Sequence, residues 1–240
     1  MAKEKYRLIG KTIYFLESGV LAVGDLHLGY EEMLKREGVE FPLEQIKQTI
    51  NDLEEVFSYL KKNKLPLKKM VFLGDLGHHF GFEKADKYGL LEVINVCRKY
   101  IGEENIIFIR GNHDKGNVGN GKLEDYVVIG NICFLHGDKD FIATWDKKIK
   151  TWVIGHLHPS ITLSDKQNVK SEKYKCFLVG AYKGKEVVVV PSFFPLVVGR
   201  DITEDYSKGF IPEKELKKFK IWVVGEELEV FEFGRLKNLR

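Results

Sequence analysis

Cysteine is scarce in this sequence, with three in 240 residues at Cys97, Cys133 and Cys176. They lie far apart, show no CxxC spacing and leave an odd count. This excludes a disulfide-stapled scaffold and points to buried free thiols in a reducing compartment. Long apolar runs are missing too, and none approaches the roughly 20 residues that span a bilayer. The N-terminal MAKEKYRLIGK lacks the apolar core of a secretory signal. A cytoplasmic protein is expected, with no membrane partner. Charge of one sign is lacking as well. The formal net charge of +3 permits a nucleic-acid substrate without demanding one. No linker, repeat or low-complexity stretch divides the chain. At 240 residues and 44% hydrophobic composition, a single domain over 1–240 with a proper core is expected.

Histidine is where the sequence is concentrated. All seven histidines fall between positions 27 and 158, in five segments built alike. The segment VLAVGDLHLGYE (20–31) is an apolar run broken at Gly24, then Asp25 and His27. KKMVFLGDLGHH ends in Asp75, His78 and His79. NIIFIRGNHD delivers Asn112, His113 and Asp114. ICFLHGD delivers His136 and Asp138, and TWVIGHLH delivers His156 and His158. Each segment reads as a buried strand ending in glycine and polar side chains. In open α/β sheets, sites form beyond the carboxyl ends of strands, so one shared site is expected. Read as extended backbone, Asp25 and His27 point to the same side and reach one ion together.

The order of elements supports this. An opening strand over 6–16 leads into the first segment, and a polar linker follows at 35–42. Leu43, Ile46, Ile50, Leu53, Phe57 and Leu60 recur at helical spacing, which predicts a helix over 43–63. A second helix is predicted over 83–101, with Leu90, Leu91, Ile94, Cys97 and Ile101 facing inward. The alternation to residue 110 favours a parallel sheet. After the glycine-rich 115–121 the chain turns β-rich. Strands are expected at 126–129, 131–135, 151–155, 160–163, 174–180, 186–190, 221–224 and 228–233. Asn131 and Gly184 mark hairpins. Helices are expected at 139–149 and 212–219. The fold class is therefore α/β, with a second sheet packed on the first.

Carboxylate, imidazole and amide ligands without cysteine suit manganese, iron, zinc, nickel or cobalt. Asp25, His27, Asp75, Asn112, His136, His156 and His158 are seven candidates. That is too many for one four-coordinate ion with an open position, and it suits two ions sharing a carboxylate. Two such ions can clamp the attacking and leaving oxygens of a phosphoryl group.

The series Asp25-Leu26-His27, Gly74-Asp75, Gly111-Asn112-His113-Asp114, His136 and Gly155-His156-Leu157-His158 resembles the calcineurin-like metallophosphoesterases. The resemblance implies a four-layer α/β/β/α sandwich of two mixed sheets. It implies two divalent transition-metal ions, manganese first among them. Asp25, His27 and His158 would hold one ion, Asn112, His136 and His156 the other, and Asp75 would bridge. His113 would contact the substrate phosphate and protonate the leaving oxygen, with Asp114 beside it as orienter. The implied reaction is hydrolysis of a phosphodiester by in-line attack of a metal-bridging hydroxide. A nucleic acid or a nucleotide would be the substrate partner, and a homodimer is open.

After Asp75 the chain departs from the commonest family pattern and reads GDLGHH. A histidine at the His78 position is similar to the nuclease subunit of double-strand-break repair complexes, where it contributes to catalysis. The GDLHLG start looks like archaeal phosphoesterases related to that nuclease. The length leaves no room for the DNA-capping domain of the repair enzymes.

Plainer readings stand beside these. Asp25 or Asp75 alone would cap a helix. His78 divides between substrate contact and loop packing, and His79 reads as solvent-facing or as supporting the ligands. Asp138 reads as structural. Phe193 and Phe194 could stack on a base, but core packing is the stronger reading. Arg200 reads as half of a surface ion pair, and the basic end at Arg235, Lys237 and Arg240 is too short for a nucleic-acid tail. Alternatives to the diesterase are a phosphomonoesterase, a nucleotide pyrophosphatase, and a metal-bound scaffold without catalysis.

Overall fold

A computed structural model of the chain describes residues 4–39, 44–78, 84–114, 122–164, 170–204 and 209–235, with side chains of 84–86 left aside. His79, Leu43, the glycine-rich 115–121, Lys237 and Arg240 lie outside the described residues.

Among the described residues six strands make the first sheet, in the order of the chain: β1 (Tyr6–Ile9), β2 (Thr12–Phe15), β3 (Val20–Val23), β4 (Lys69–Phe72), β5 (Ile106–Ile109) and β6 (Leu123–Glu124). β1 to β3 are antiparallel, and β3 to β6 are parallel. The opening strand over 6–16 is therefore two strands, reversed where Gly10 takes a positive φ. The short β6 was not anticipated.

Among the described residues the second sheet holds nine strands. They are β7 (Tyr126–Ile129), β8 (Ile132–Leu135), β9 (Thr151–Ile154), β10 (Pro159–Ser164), β11 (Ser171–Tyr182), β12 (Lys185–Val189), β13 (Arg200–Asp201), β14 (Lys220–Val224) and β15 (Val230–Arg235). β8, β9 and β12 run parallel, and the other pairings are antiparallel except the two-residue β13 against β10. The hairpins at Asn131 and Gly184 are present. β13 was not anticipated; two residues carry no periodicity.

The sheets face each other across an apolar layer that includes Ile13, Ala22, Val71 and Ile109 from one side and Phe134, Val153, Phe177 and Val188 from the other. Strands buried on both faces explain why their sequences read as continuous apolar runs. Two helices cover the first sheet: α2 (Gln45–Lys62) and α3 (Lys84–Cys97), following α1 (Tyr30–Arg36). α2 buries Leu53, Val56, Phe57 and Leu60, each worth about 1.5–3 kcal/mol when removed from water. The outer layer on the second sheet is thin: a 3-10 turn (Ile142–Trp145), α4 (Glu213–Leu216) and loops, closing over Trp152, Ile154 and Leu178. The result is a mixed α/β fold with two mixed sheets.

Three expectations about helices need correction. The 35–42 linker begins inside α1, whose buried residue is Glu31 rather than an apolar stripe; no apolar period announces such a helix. On α3 Leu90, Val93, Val96 and Cys97 are buried and Ile94 packs against the same core, as does Ile101 just beyond, whereas Leu91 is 48% exposed. The helix over 139–149 is only the 3-10 turn. The Trp152 indole N–H takes the Thr144 carbonyl at 3.1 Å, and the Asp146 carboxylate accepts the Lys148 N–H at 2.7 Å. Both bonds compete with helical continuation.

Candidate metal centre

Five parallel-strand ends converge: those of β3, β4 and β5 in the first sheet, and β8 and β9 in the second. The loops after β3 and β4 are laced together. Leu26 and His27 donate their N–H groups to the Asp75 carbonyl at 3.1 and 2.9 Å, Leu28 donates to Leu76 at 3.0 Å, and His78 donates back to Leu28 at 2.8 Å. Helix α2 supports this lacing, since the Gln45 Nε2 donates to the Leu26 and His27 carbonyls at 3.3 and 2.7 Å. Glu31 in turn accepts the N–H groups of Glu44 and Gln45 at 2.8 and 2.9 Å. It satisfies two of the donors left open at a helix start. Neither Glu31 nor Gln45 was singled out from the sequence, because a single polar residue at a helix start carries no motif.

The candidate ligands fall into two groups, Asp25–His27–His158 and Asp75–His136–His156. Within each, one ligand atom per residue lies within 4.8 Å of the others. In the first, His158 Nε2 is 2.8 Å from Asp25 Oδ2 and 3.4 Å from His27 Nε2. In the second, His136 Nε2 is 3.4 Å from Asp75 Oδ2, 3.1 Å from His156 Nδ1 and 3.1 Å from Asn112 Oδ1. Asp75 stands between them, since its Oδ2 is also 3.8 Å from His27 Nε2. The His136 ring is oriented by its Nδ1–H, which donates to the Leu73 carbonyl at 2.8 Å. In the neutral ring this leaves Nε2 as a lone pair aimed at the centre.

The backbone here is not the extended one read from the sequence. His27, Asp75, His156 and His158 all have positive φ, at 46°, 46°, 63° and 46°. Asp25 and His27 still meet, but through a left-handed residue rather than a strand. Such residues cost about 1–2 kcal/mol each, and strain of this kind collects at functional sites. Close approach is built in as well. A Cβ on Gly111 would lie 2.1 Å from Asp75 Oδ1, so only glycine lets the β5 loop pass that carboxylate.

The electrostatics follow from burial. Burial raises the Asp25 carboxyl, but the His158 and His136 rings outweigh it and hold it below the usual range. Burial raises the Asp75 carboxyl too, but its bond to His136 and that ring's charge outweigh it and hold it low. Burial lowers His136, yet Asp25 and Asp75 reverse that and raise it to about 9. Burial and then His158 push His27 down to about 3. These are properties of the ion-free centre.

The residues fit divalent cations. Two buried carboxylates share one cluster with four imidazoles, ring nitrogens face each other at 3.1 and 3.4 Å, and His27 Nδ1 is buried without a hydrogen-bond partner among the described residues. Buried charge of this kind is stable only when paired or coordinated.

The remaining predicted residues sit around this centre. His113 donates its backbone N–H to Asp75 Oδ1 at 2.9 Å, and its ring centroid is 5.4 Å from that of His27. The His78 ring lies 5.6 Å from His27 and 4.7 Å from Tyr30, and it stacks at 6.1 Å on His113. Asp114 accepts the Leu76 and Gly111 N–H groups at 3.0 and 2.9 Å, tying the β4 and β5 loops together, and burial raises its carboxyl to about 6. Phe193 and Phe194 are buried. Phe193 joins the core, while the Phe194 ring packs 5.7 Å from His27 and 5.2 Å from Tyr30. Arg200 is exposed and forms no ion pair among the described residues. Asp138 is half-buried.

A fold of two facing mixed sheets with carboxylates and histidines at the strand ends defines a metal-dependent phosphoester hydrolase. The chain belongs to the calcineurin-like phosphoesterase family, whose model matches residues 19–225. Its fold is similar to that of the Pseudomonas putida nuclease MPE, at 18% identity and a TM-score of 0.60 over 93% of this chain and 92% of that one. A looser likeness joins it to YfcE, a phosphoesterase from E. coli, at 14% identity, a TM-score of 0.37, and 86% and 88% coverage. Another is to the zinc complex of Vps29 from Entamoeba histolytica, at 16% identity, a TM-score of 0.36, and 90% and 98% coverage. No curated protein matches the chain. Among the described residues no helix is long and apolar enough to cross a membrane.

Proposed function

We propose that the protein is a phosphodiesterase acting through two divalent metal ions, manganese first among them. Asp25, His27 and His158 would hold one ion, Asn112, His136 and His156 the other, and Asp75 would be shared between them. The observation that carries this reading is the placement of Asp75 Oδ2, within 3.8 Å of a histidine nitrogen in each group. When bound, a pair of such ions polarises the phosphoryl oxygens and lowers the pKa of water enough to supply a nucleophile near neutral pH.

The chain's own residues do the rest. Asp75 Oδ1 fixes the His113 backbone, so the ring that donates a proton is set relative to the shared carboxylate. His113 Nδ1 is buried, which leaves Nε2 as the nitrogen that meets substrate. There it contacts a phosphate oxygen and passes a proton to the leaving oxygen, a role worth about 10²–10⁴ in rate. His78, stacked on His113 and braced by Tyr30, keeps that ring in place and flanks the leaving group. Asp114 orients the pair indirectly, by joining the loops that carry them.

The phosphodiester of a nucleotide or nucleic acid is the substrate class we assign.

The test compares bis-p-nitrophenyl phosphate with the monoester, using wild type and His113→Ala after chelation and after adding Mn²⁺ or Ni²⁺. Metal-restored diester cleavage that His113→Ala abolishes is expected. Cleavage of the monoester alone would overturn the diesterase reading.

A further inference from the structure

The segment 191–200 joins β12 to β13 and wraps the first donor group. Phe193 and Phe194 both donate their N–H groups to the Asp25 carbonyl, at 2.9 and 3.1 Å. Arg200 donates to the His158 carbonyl at 2.9 Å. The Phe194 ring packs on the third member, His27. One stretch of chain thus touches all three residues of one group. Its close passage requires Gly199, whose φ is +125° and whose added Cβ would lie 2.2 Å from the His158 carbonyl oxygen.

Two lysines fasten this strap. Lys11, in the turn between β1 and β2, pairs with Asp52 of α2. Its Nζ lies 3.4 Å from the Phe193 carbonyl oxygen and 4.6 Å from the Phe193 ring centroid. Lys175, on β11, donates from Nζ to the Ser192 Oγ at 2.8 Å and to the Val197 carbonyl at 2.7 Å. Ser192 is itself buried. Burial and the neighbouring Lys11 hold the Lys175 amine well below the usual lysine range, as expected of a group kept for its hydrogen bonds rather than for solvent. Both of these hydrogen bonds from the amine land on the strap, five residues apart. Without them the strap keeps its ends but loses its middle.

We propose that Lys175 is a positioning residue: by fastening Ser192 and Val197 it seats the 191–200 strap on Asp25, His27 and His158 and so sets the affinity of the ion they hold. This rests on the two-ion reading above. Groups that orient ligands from behind typically change metal affinity about 10–100-fold when removed. The effect falls chiefly on the first group, because the strap's bonds to the centre end on Asp25 and His158 and its ring contact on His27; the second group is reached only through the Asp25 carboxylate, which accepts the His156 N–H at 3.1 Å.

Binding of Mn²⁺ to chelated protein, followed by the paramagnetic signal of the free ion, tests this without activity. His156→Ala leaves the first group intact, and His158→Ala leaves the second. In the His156→Ala background, Lys175→Met is expected to weaken Mn²⁺ binding about 10–100-fold, with most of it recovered by Lys175→Arg. In the His158→Ala background, Lys175→Met is expected to weaken binding much less, since the strap reaches the second group only through Asp25. Ser192→Ala removes a single acceptor and gives a smaller loss, chiefly in the first background, which keeps the test available should Lys175→Met fail to fold. Equal losses in both backgrounds, or none in either, would overturn the role of Lys175. Wild type binding fewer than two Mn²⁺ would instead overturn the two-ion reading.

Discussion

Replacing Gly111 by alanine puts a methyl group where the Asp75 carboxylate sits. The new carbon would lie 2.1 Å from Asp75 Oδ1 and 2.2 Å from the Asp75 nitrogen. Non-bonded carbon contacts are comfortable near 3.5 Å, so one loop must yield by about 1 Å. Overpacking of this sort costs about 1–3 kcal/mol. In a chain of this size that lowers Tm by about 2–12 °C. The catalytic loss should be larger than the stability loss suggests. In the proposed two-ion centre Asp75 would be the shared ligand, and its Oδ1 holds the His113 backbone at 2.9 Å. A displacement of about 1 Å at reacting groups costs about 100-fold in rate. The assay is kcat/KM for diester cleavage at saturating Mn²⁺, beside a thermal melt and a Mn²⁺ titration. An alanine variant with wild-type kcat/KM and Mn²⁺ affinity would refute the reasoning, whatever its Tm.

Gln45→Leu keeps the volume but strips the buried Leu26 and His27 carbonyls of their donor. At about 1–3 kcal/mol for each buried group left unsatisfied, a fall in Tm is expected in the melt, together with weaker Mn²⁺ binding at the first donor group; an unchanged Tm would contradict it. For the metal-free protein, His136 is raised from 6.5 to about 9. Its contribution to stability is therefore fully present below pH 6.5 and lost as pH rises through about 9. His27, lowered to about 3, works from the other side, removing stability as pH falls below 6.5. Melts of chelated protein should peak near pH 6.5 and decline toward pH 9. Binding of Mn²⁺ at pH 7.5 should release about one proton, because His136 must give one up to become a ligand. Calorimetry in two buffers of different ionisation enthalpy measures this, and no proton release would contradict it.

The parallel core strands were legible because they are buried on both faces, so their apolar runs stop sharply at glycine and ligand residues. The seven candidate ligands were legible for the same reason: each follows such a run. What was not legible is polar or conformational. The left-handed φ at His27, Asp75, His156 and His158 leaves no trace in composition. The roles of Glu31 and Gln45 depend on where α1 and α2 meet in space. The truncated helix at Ile142–Trp145 depends on an indole N–H that arrives from β9. Leu91 lies one position from Leu90, and periodicity alone did not separate them. Lys175 and Ser192 meet only because β11 lies beneath the segment that follows β12.

The central claim is that activity needs two ions held by two donor groups sharing Asp75. Its most direct test titrates chelated protein with Mn²⁺ while following bis-p-nitrophenyl phosphate hydrolysis and bound metal together. The account predicts that activity stays low through the first equivalent, rises with the second, and is lost in Asp75→Asn. Full hydrolysis at one equivalent, or in thoroughly chelated protein, would contradict it.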